Sequence, residues 1–188
     1  MAILSFENLS LRLRALQVRE IPTQDLRQAA VLIPFYLSQQ GLSVLLTRRS
    51  QSLAKHAGEV SFPGGGMDEE DESLASAALR ETCEELGTSI DNLEIISKFH
   101  EMHTITGFHI TPYVGRIRCV ENLEINPLEV ERVFLLPYGV ASDFNRWERK
   151  SYPYRGAMVQ LWSLSYDDEF IWGATAFILR ELLEFLAD

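Results

Sequence analysis

The chain has 188 residues, 46% of them hydrophobic and 10% aromatic, which fits one globular domain with a sizeable core and excludes a low-complexity or disordered chain. Its 17 basic and 27 acidic residues give a net charge of −10, a surface that repels phosphates and argues against a nucleic-acid partner. Cys83 and Cys119 make neither a disulfide framework nor a zinc site, and no leader-like segment or run of about 18 apolar residues is present, so a cytoplasmic protein with no membrane partner is expected.

Phe6, Leu9, Leu13 and Leu16 recur at helical spacing while Arg12, Arg14 and Arg19 fall elsewhere, which predicts an amphipathic helix over residues 5–19. It packs either on its own domain or on a second subunit, which leaves a homodimer open. Ile21-Pro22-Thr23 breaks it, so residues 1–28 read as a helical extension and 29–188 as the main domain. Residues 29–37 and 42–47 read as two apolar strands of a hairpin. The second strand delivers Arg48 and Arg49 to a loop that also carries Lys55 and His56. That basic stretch is either a cradle for substrate phosphates or a solvated loop.

Val60 and Phe62 suggest a short strand entering Pro63-Gly64-Gly65-Gly66, where glycines allow a close backbone approach to a ligand. No Gly-Lys-Ser/Thr follows, so this is not a P-loop. A helix is predicted over residues 74–86, capped by Asp71 or Ser73 and ended by Gly87. Ala75, Leu79, Cys83 and Leu86 form its apolar stripe, while Glu81, Glu84 and Glu85 share another side. Like charges a turn apart weaken a helix, and a hard cation with oxygen ligands reverses that sign. Ala77 and Ala78 would leave room for the ligand, and Arg80 can pair with Glu84 at i+4. The bland alternative is a solvated acidic face.

Further strands are expected over residues 93–103 and 109–118, with Gly107 in the turn. His100, His103 and His109 lack zinc spacing. Residues 145–155, rich in Arg, Tyr and Trp, suit either a nucleotide contact or a hairpin cover. Residues 158–164 read as a strand, and residues 170–186 as a closing helix offering Phe177, Leu182, Phe185 and Leu186 to the core. Strands alternating with two substantial helices predict an α/β sandwich.

Gly66, five residues, Glu72, seven more, then Arg80-Glu81-Thr82-Cys83-Glu84-Glu85-Leu86-Gly87 resembles the signature box of the Nudix hydrolases, with Thr82 and Thr88 at two usually aliphatic positions. Leu45-Leu46-Thr47-Arg48-Arg49-Ser50, Gly58 and Phe62-Pro63-Gly64-Gly65 resemble the segment that marks the coenzyme A pyrophosphatase branch of that family, as do the segments 104–115, 129–130 and 171–176. Ala54 stands where the branch pattern has an arginine, with Lys55 beside it. The resemblance implies an α/β/α sandwich with a mixed central sheet. It also implies Mg²⁺ or Mn²⁺ held by Glu81, Glu84 and Glu85, and a small nucleotide substrate contacted by Arg48, Arg49, Lys55, Gly64 and Gly65.

The reaction so implied is hydrolysis of the diphosphate of coenzyme A or an acyl derivative to 3′-phosphoadenosine 5′-phosphate and a phosphopantetheine. Arg80, Glu81, Glu84, Glu85 and Glu129 are its catalytic candidates, with Glu129 or a box glutamate as base and Glu124 and Glu131 competing with Glu129. Other nucleoside diphosphate compounds, such as NADH or an ADP-sugar, remain alternative substrates, and a nucleotide-binding module without turnover is the rival from another class.

Overall fold

The computed structural model of the protein describes residues 5–22, 25–154 and 156–187. Residues 1–4 of the expected extension, Thr23 of its break and Arg155 of the aromatic segment lie outside them. In chain order the described elements are α1 (Phe6–Arg14), β1 (Arg27–Ser38), β2 (Gly41–Arg49), β3 (Val60–Ser61), β4 (Gly64–Gly66), α2 (Leu74–Leu86), β5 (Leu93–Lys98), β6 (Met102–His103), β7 (Phe108–Ile117), β8 (Val130–Pro137), α3 (Tyr138–Ala141), β9 (Trp147–Tyr154), β10 (Ala157–Tyr166), β11 (Glu169–Trp172) and α4 (Gly173–Ala187).

Eight of the described strands form one mixed sheet. Its centre, β1, runs parallel to β7 and antiparallel to β2 and β4, and β2 pairs along its length with β8. Alternation along the strands sorts the apolar residues onto two faces. Leu32 and Leu45 turn to the face covered by Leu79, Cys83 and Leu86 of α2. Ile33, Phe35, Val44 and Leu46 turn to the other, where Leu9 and Leu13 of α1 and Leu179, Leu182 and Leu186 of α4 complete the larger core. The result is the expected α/β/α arrangement, with a second sheet of β9, β10 and β11 feeding Trp147, Leu164 and Ile171 into the same core.

Three expectations are corrected by tertiary contacts. The first helix ends at Arg14 instead of residue 19, because Arg19 lies extended against the neck between β5 and β6. There its N–H donates to His100 Nδ1 at 2.9 Å and its carbonyl accepts from the Glu101 N–H at 3.2 Å. Leu9 and Leu13 are fully buried, so α1 packs on its own domain. The predicted strand 93–103 is two, β5 and β6, separated at residues 99–101. The closing helix starts at Gly173, with φ 64°, and residues 169–172 pair instead with β10 as a strand. Leu182 and Leu186 are buried as expected and Phe185 is partly so, but Phe177 is 39% exposed.

The glutamate helix occupies its predicted residues. Ser73 caps it, its hydroxyl accepting from the Ser76 N–H at 3.1 Å, and Gly87 ends it at φ 59°. The deepest row of α2 is Ala77, Ala78, Thr82, Glu85 and Leu86, while Ala75, Leu79 and Cys83 are half-buried. Ala77 and Ala78 leave no room for a ligand. They are fully buried on Ala30, and their small size lets the helix approach β1. Thr82 sits in that row because its hydroxyl donates to the Ala78 carbonyl at 2.6 Å.

Gly87 meets two constraints at once, a left-handed backbone and a neighbour, since a side-chain carbon there would collide with the Glu124 carbonyl. Gly87→Ala is therefore expected to destabilise the protein by about 1–3 kcal/mol in urea unfolding. Gly139→Ala, in the helical residues of α3 with open space around it, should stay within about 0.5 kcal/mol of the parent.

Candidate active site

The site forms where the glycine strand β4, paired with β1, meets α2. Pairing sets Gly64 opposite Val31 and Gly65 opposite Ala30. A side-chain carbon on Gly64 would strike the Ala30 carbonyl, and one on Gly65 would occupy the space of the Glu81 carboxylate. Two glycines thus bring backbone against acid side chains, and the Gly64 N–H donates to Glu85 Oε2 at 3.3 Å.

Glu85 is 3% exposed, an unusual place for a carboxylate. Burial pushes its pKa up to about 8, and the negative charges of Glu81 and Glu129 push the same way. The Arg49 guanidinium, 3.8 Å away, and the Gly64 N–H pull against that rise without cancelling it. Burial also raises Glu81, aided by Glu84 and Glu129 and opposed by Arg80. Glu84 is the exposed member of the three.

Arg80 ties the set together. Its Nη1 donates to Glu81 Oε1 at 2.9 Å and to Glu84 Oε2 at 3.2 Å, the i,i+4 pair expected from the spacing. Its Nε and Nη2 grip Asp71, and Nη2 also donates to the Gly66 carbonyl at 3.2 Å. Asp71, the alternative to Ser73 as the expected cap, instead holds the arginine. Its place in the acidic run 68–72 hid that role.

Among the competing loop glutamates the structure brings Glu129 to the cluster, where its charge acts on both Glu81 and Glu85. Its backbone is stapled on both sides. The Ser50 N–H donates to the Glu129 carbonyl at 2.8 Å, and the Asn126 N–H donates to the Glu85 carbonyl at 3.0 Å, so the turn 126–129 bridges β2 and α2. Asn126 also holds the turn itself, its Oδ1 accepting from the Leu128 N–H at 3.1 Å. Glu131 instead accepts from Gln51 Nε2 at 3.3 Å, and Glu124 is exposed beyond Gly87.

The two arginines of β2 part ways. A register shift between Arg48 and Arg49 in the pairing with β8 separates their directions. Arg49 reaches Glu85, and its buried Nε has no partner among the described residues. Arg48 is not brought to the cluster: its Nε donates to Glu169 Oε2 at 3.0 Å and its Nη2 to the Asp168 carbonyl at 2.9 Å, fastening β2 to the second sheet. Lys55 and Ala54 are exposed in the following loop. Of the aromatic segment, Arg149 lies over Trp162 at 4.5 Å and Tyr152 stacks on Trp172 at 5.2 Å, contacts within the second sheet.

Among the described residues no three His, Cys, Asp or Glu side chains already converge as a metal cage. The donor set nevertheless suits a hard divalent cation. Its carboxylates share one unmet repulsion, and Mg²⁺ asks for only one or two of them before water and substrate phosphate complete its shell.

A model of the NUDIX domain matches residues 26–153. The chain is 41% identical over 160 residues to the uncharacterized Nudix hydrolase NudL of Citrobacter koseri, covering 85% of this chain and 83% of that one. It is 40% identical over 156 residues to NudL of Enterobacter sp., covering 83% and 81%. The fold is similar to that of the Nudix hydrolase RenU of M. smegmatis, with TM-score 0.52 and 20% identity over 62% of this chain and 74% of that one. It is also similar to that of a MutT protein of Methanosarcina mazei, with TM-score 0.51 and 15% identity over 88% and 96%. The glutamates that a glycine strand and one arginine hold together are thus those of the Nudix box, and the chain belongs to the Nudix hydrolase family.

Proposed function

We propose that this chain hydrolyses the diphosphate linkage of coenzyme A or its acyl derivatives, releasing 3′-phosphoadenosine 5′-phosphate and a 4′-phosphopantetheine. Nudix hydrolases act on small nucleotides of nucleoside diphosphate type with divalent ions, and the specificity is read from the segment upstream of the box. The observation that carries it is Arg49, which belongs to that segment and stands 3.8 Å from the most buried box glutamate with an Nε that has no partner among the described residues. A guanidinium so placed is a phosphate donor beside the carboxylates, in a protein whose overall charge of −10 would otherwise repel the substrate.

Glu81, Glu84 and Glu85 would hold Mg²⁺ or Mn²⁺. When bound, the ion offsets phosphate charge and acidifies a water. The chain's own groups do the rest. Arg49 and the glycine strand orient the diphosphate, Arg80 keeps Glu81 and Glu84 in place, and Glu129, outside the Arg80 network, accepts the proton of the attacking water. A second reading, another nucleoside diphosphate compound, is favoured by Ala54 in place of the branch arginine and by the engagement of Arg48, which together leave fewer cations for the 3′-phosphate.

The test is mass spectrometry of products from coenzyme A, NADH, ADP-ribose and a nucleoside triphosphate, each with Mg²⁺. Phosphopantetheine formed fastest supports the proposal, and faster turnover of another compound moves the second reading forward. Glu85→Gln and Glu129→Gln are both expected to lower kcat by about 10²–10⁴-fold. They should differ in Mn²⁺ affinity, which Glu85→Gln weakens and Glu129→Gln keeps within a few-fold. Equal Mn²⁺ loss in both would reassign Glu129.

Stability carries a further expectation. Glu85 holds its proton up to about pH 8 when folded and to 4.5 when unfolded, so the folded state binds more protons across that window. The contribution is full below the unfolded value and is lost as pH rises, at up to about 1.4 kcal/mol per pH unit. In metal-free protein the Tm of the parent should fall relative to that of Glu85→Gln as the pH is raised through this range, and a constant difference would show that Glu85 titrates normally.

A further inference from the structure

We propose that Asp71, and not its neighbour Glu72, is the positioning residue that sets the box glutamates, by clamping Arg80 in a two-pronged bond. This rests on the reading that Glu81 and Glu84 serve the hydrolysis.

The geometry separates the two neighbours sharply. The Asp71 side chain is 5% exposed. Its Oδ1 accepts from Arg80 Nε at 3.0 Å and its Oδ2 from Arg80 Nη2 at 2.9 Å, the parallel fork that fixes a guanidinium in position and in plane. The Asp68 N–H donates to the same Oδ2 at 2.9 Å, anchoring the carboxylate to its own loop. With that edge of Arg80 held, only Nη1 remains, and it divides between Glu81 and Glu84. Glu72, although it is the landmark of the box, is exposed and enters no hydrogen bond or ion pair among the described residues. Asp71 touches no catalytic glutamate. It acts through Arg80, removing the freedom of a long side chain whose remaining donor aims two carboxylates that like charge would otherwise drive apart.

The full chain carrying Asp71→Asn or Glu72→Gln tests this by three readouts. These are Mn²⁺ affinity from the paramagnetic resonance of the free ion, kcat and KM with Mg²⁺ on the best diphosphate substrate, and hydrogen exchange of the Arg80 Nε–H by NMR. Asp71→Asn is expected to weaken Mn²⁺ binding and lower kcat by about 10–100-fold. KM should change by less than about threefold and the Arg80 proton should exchange faster, while Glu72→Gln leaves every quantity within about twofold of the parent. Parent-like Mn²⁺ affinity and kcat in Asp71→Asn, or the same losses in Glu72→Gln, would overturn the assignment. Should Asp71→Asn not fold, Asp71→Ser, polar and without a carboxylate, is judged by the same outcomes. A parent chain that cleaves no diphosphate, while Asp71→Asn alone frees the Arg80 proton, would sustain the clamp and refute the hydrolase reading.

Discussion

A carboxylate that folding takes out of water beside two others is the constraint on which this structure depends. Glu85 lies on the innermost row of α2, and among the described residues only one N–H and one guanidinium at 3.8 Å face its charge. An acid in that position gives up stability when ionised, because desolvation outweighs the partial pairing. The repulsion from Glu81 and Glu129 adds to the penalty. A protein keeps such a group where something bound in the working state offsets it, which is why strained ionisations gather at functional sites.

The rest of the fold makes that placement feasible. Ala77, Ala78 and Ala30 are small enough to let α2 lie close on β1, Gly64 lets β4 pair closely with β1, and Gly65 leaves the space that the Glu81 carboxylate fills. Gly87 and the 126–129 turn close the far end of the helix, and the Asn126 N–H takes up the Glu85 carbonyl, so the same residue is fixed through backbone and side chain. The register shift in β2 sends Arg49 to the acids and Arg48 to the second sheet. The arginine beside the acids and the one that fastens the two sheets are therefore adjacent in sequence and part company in space.

Local chemistry was legible where it is self-contained. Ser73, the glutamate spacing and Gly87 mark the helix 74–86, and the apolar runs on either side of residues 38–41 mark the hairpin, because caps and periodicity act within a few residues. What escaped reading depends on partners distant in the chain. Residues 15–19 carry helical spacing, yet His100 and Glu101 draw the segment out. Residues 170–172 look like the start of a helix, but β10 offers them a ladder. The row Ala77, Ala78, Thr82 and Glu85 is deeper than the more apolar row of Ala75, Leu79 and Cys83 because small side chains packed on Ala30, and not hydrophobicity, set the approach of α2 to β1. Asp71 was hidden by its acidic neighbours, and only the position of Arg80 distinguishes it from Glu72.

The most direct measurement is a carbon-detected NMR titration of the Glu85 side-chain carboxyl, run without metal and again with saturating Mg²⁺. A midpoint near 8 in metal-free protein, displaced to lower pH by the ion, is the expected result. A midpoint close to the ordinary 4.5, or one indifferent to Mg²⁺, would contradict the view that the buried glutamate is held in readiness for a cation.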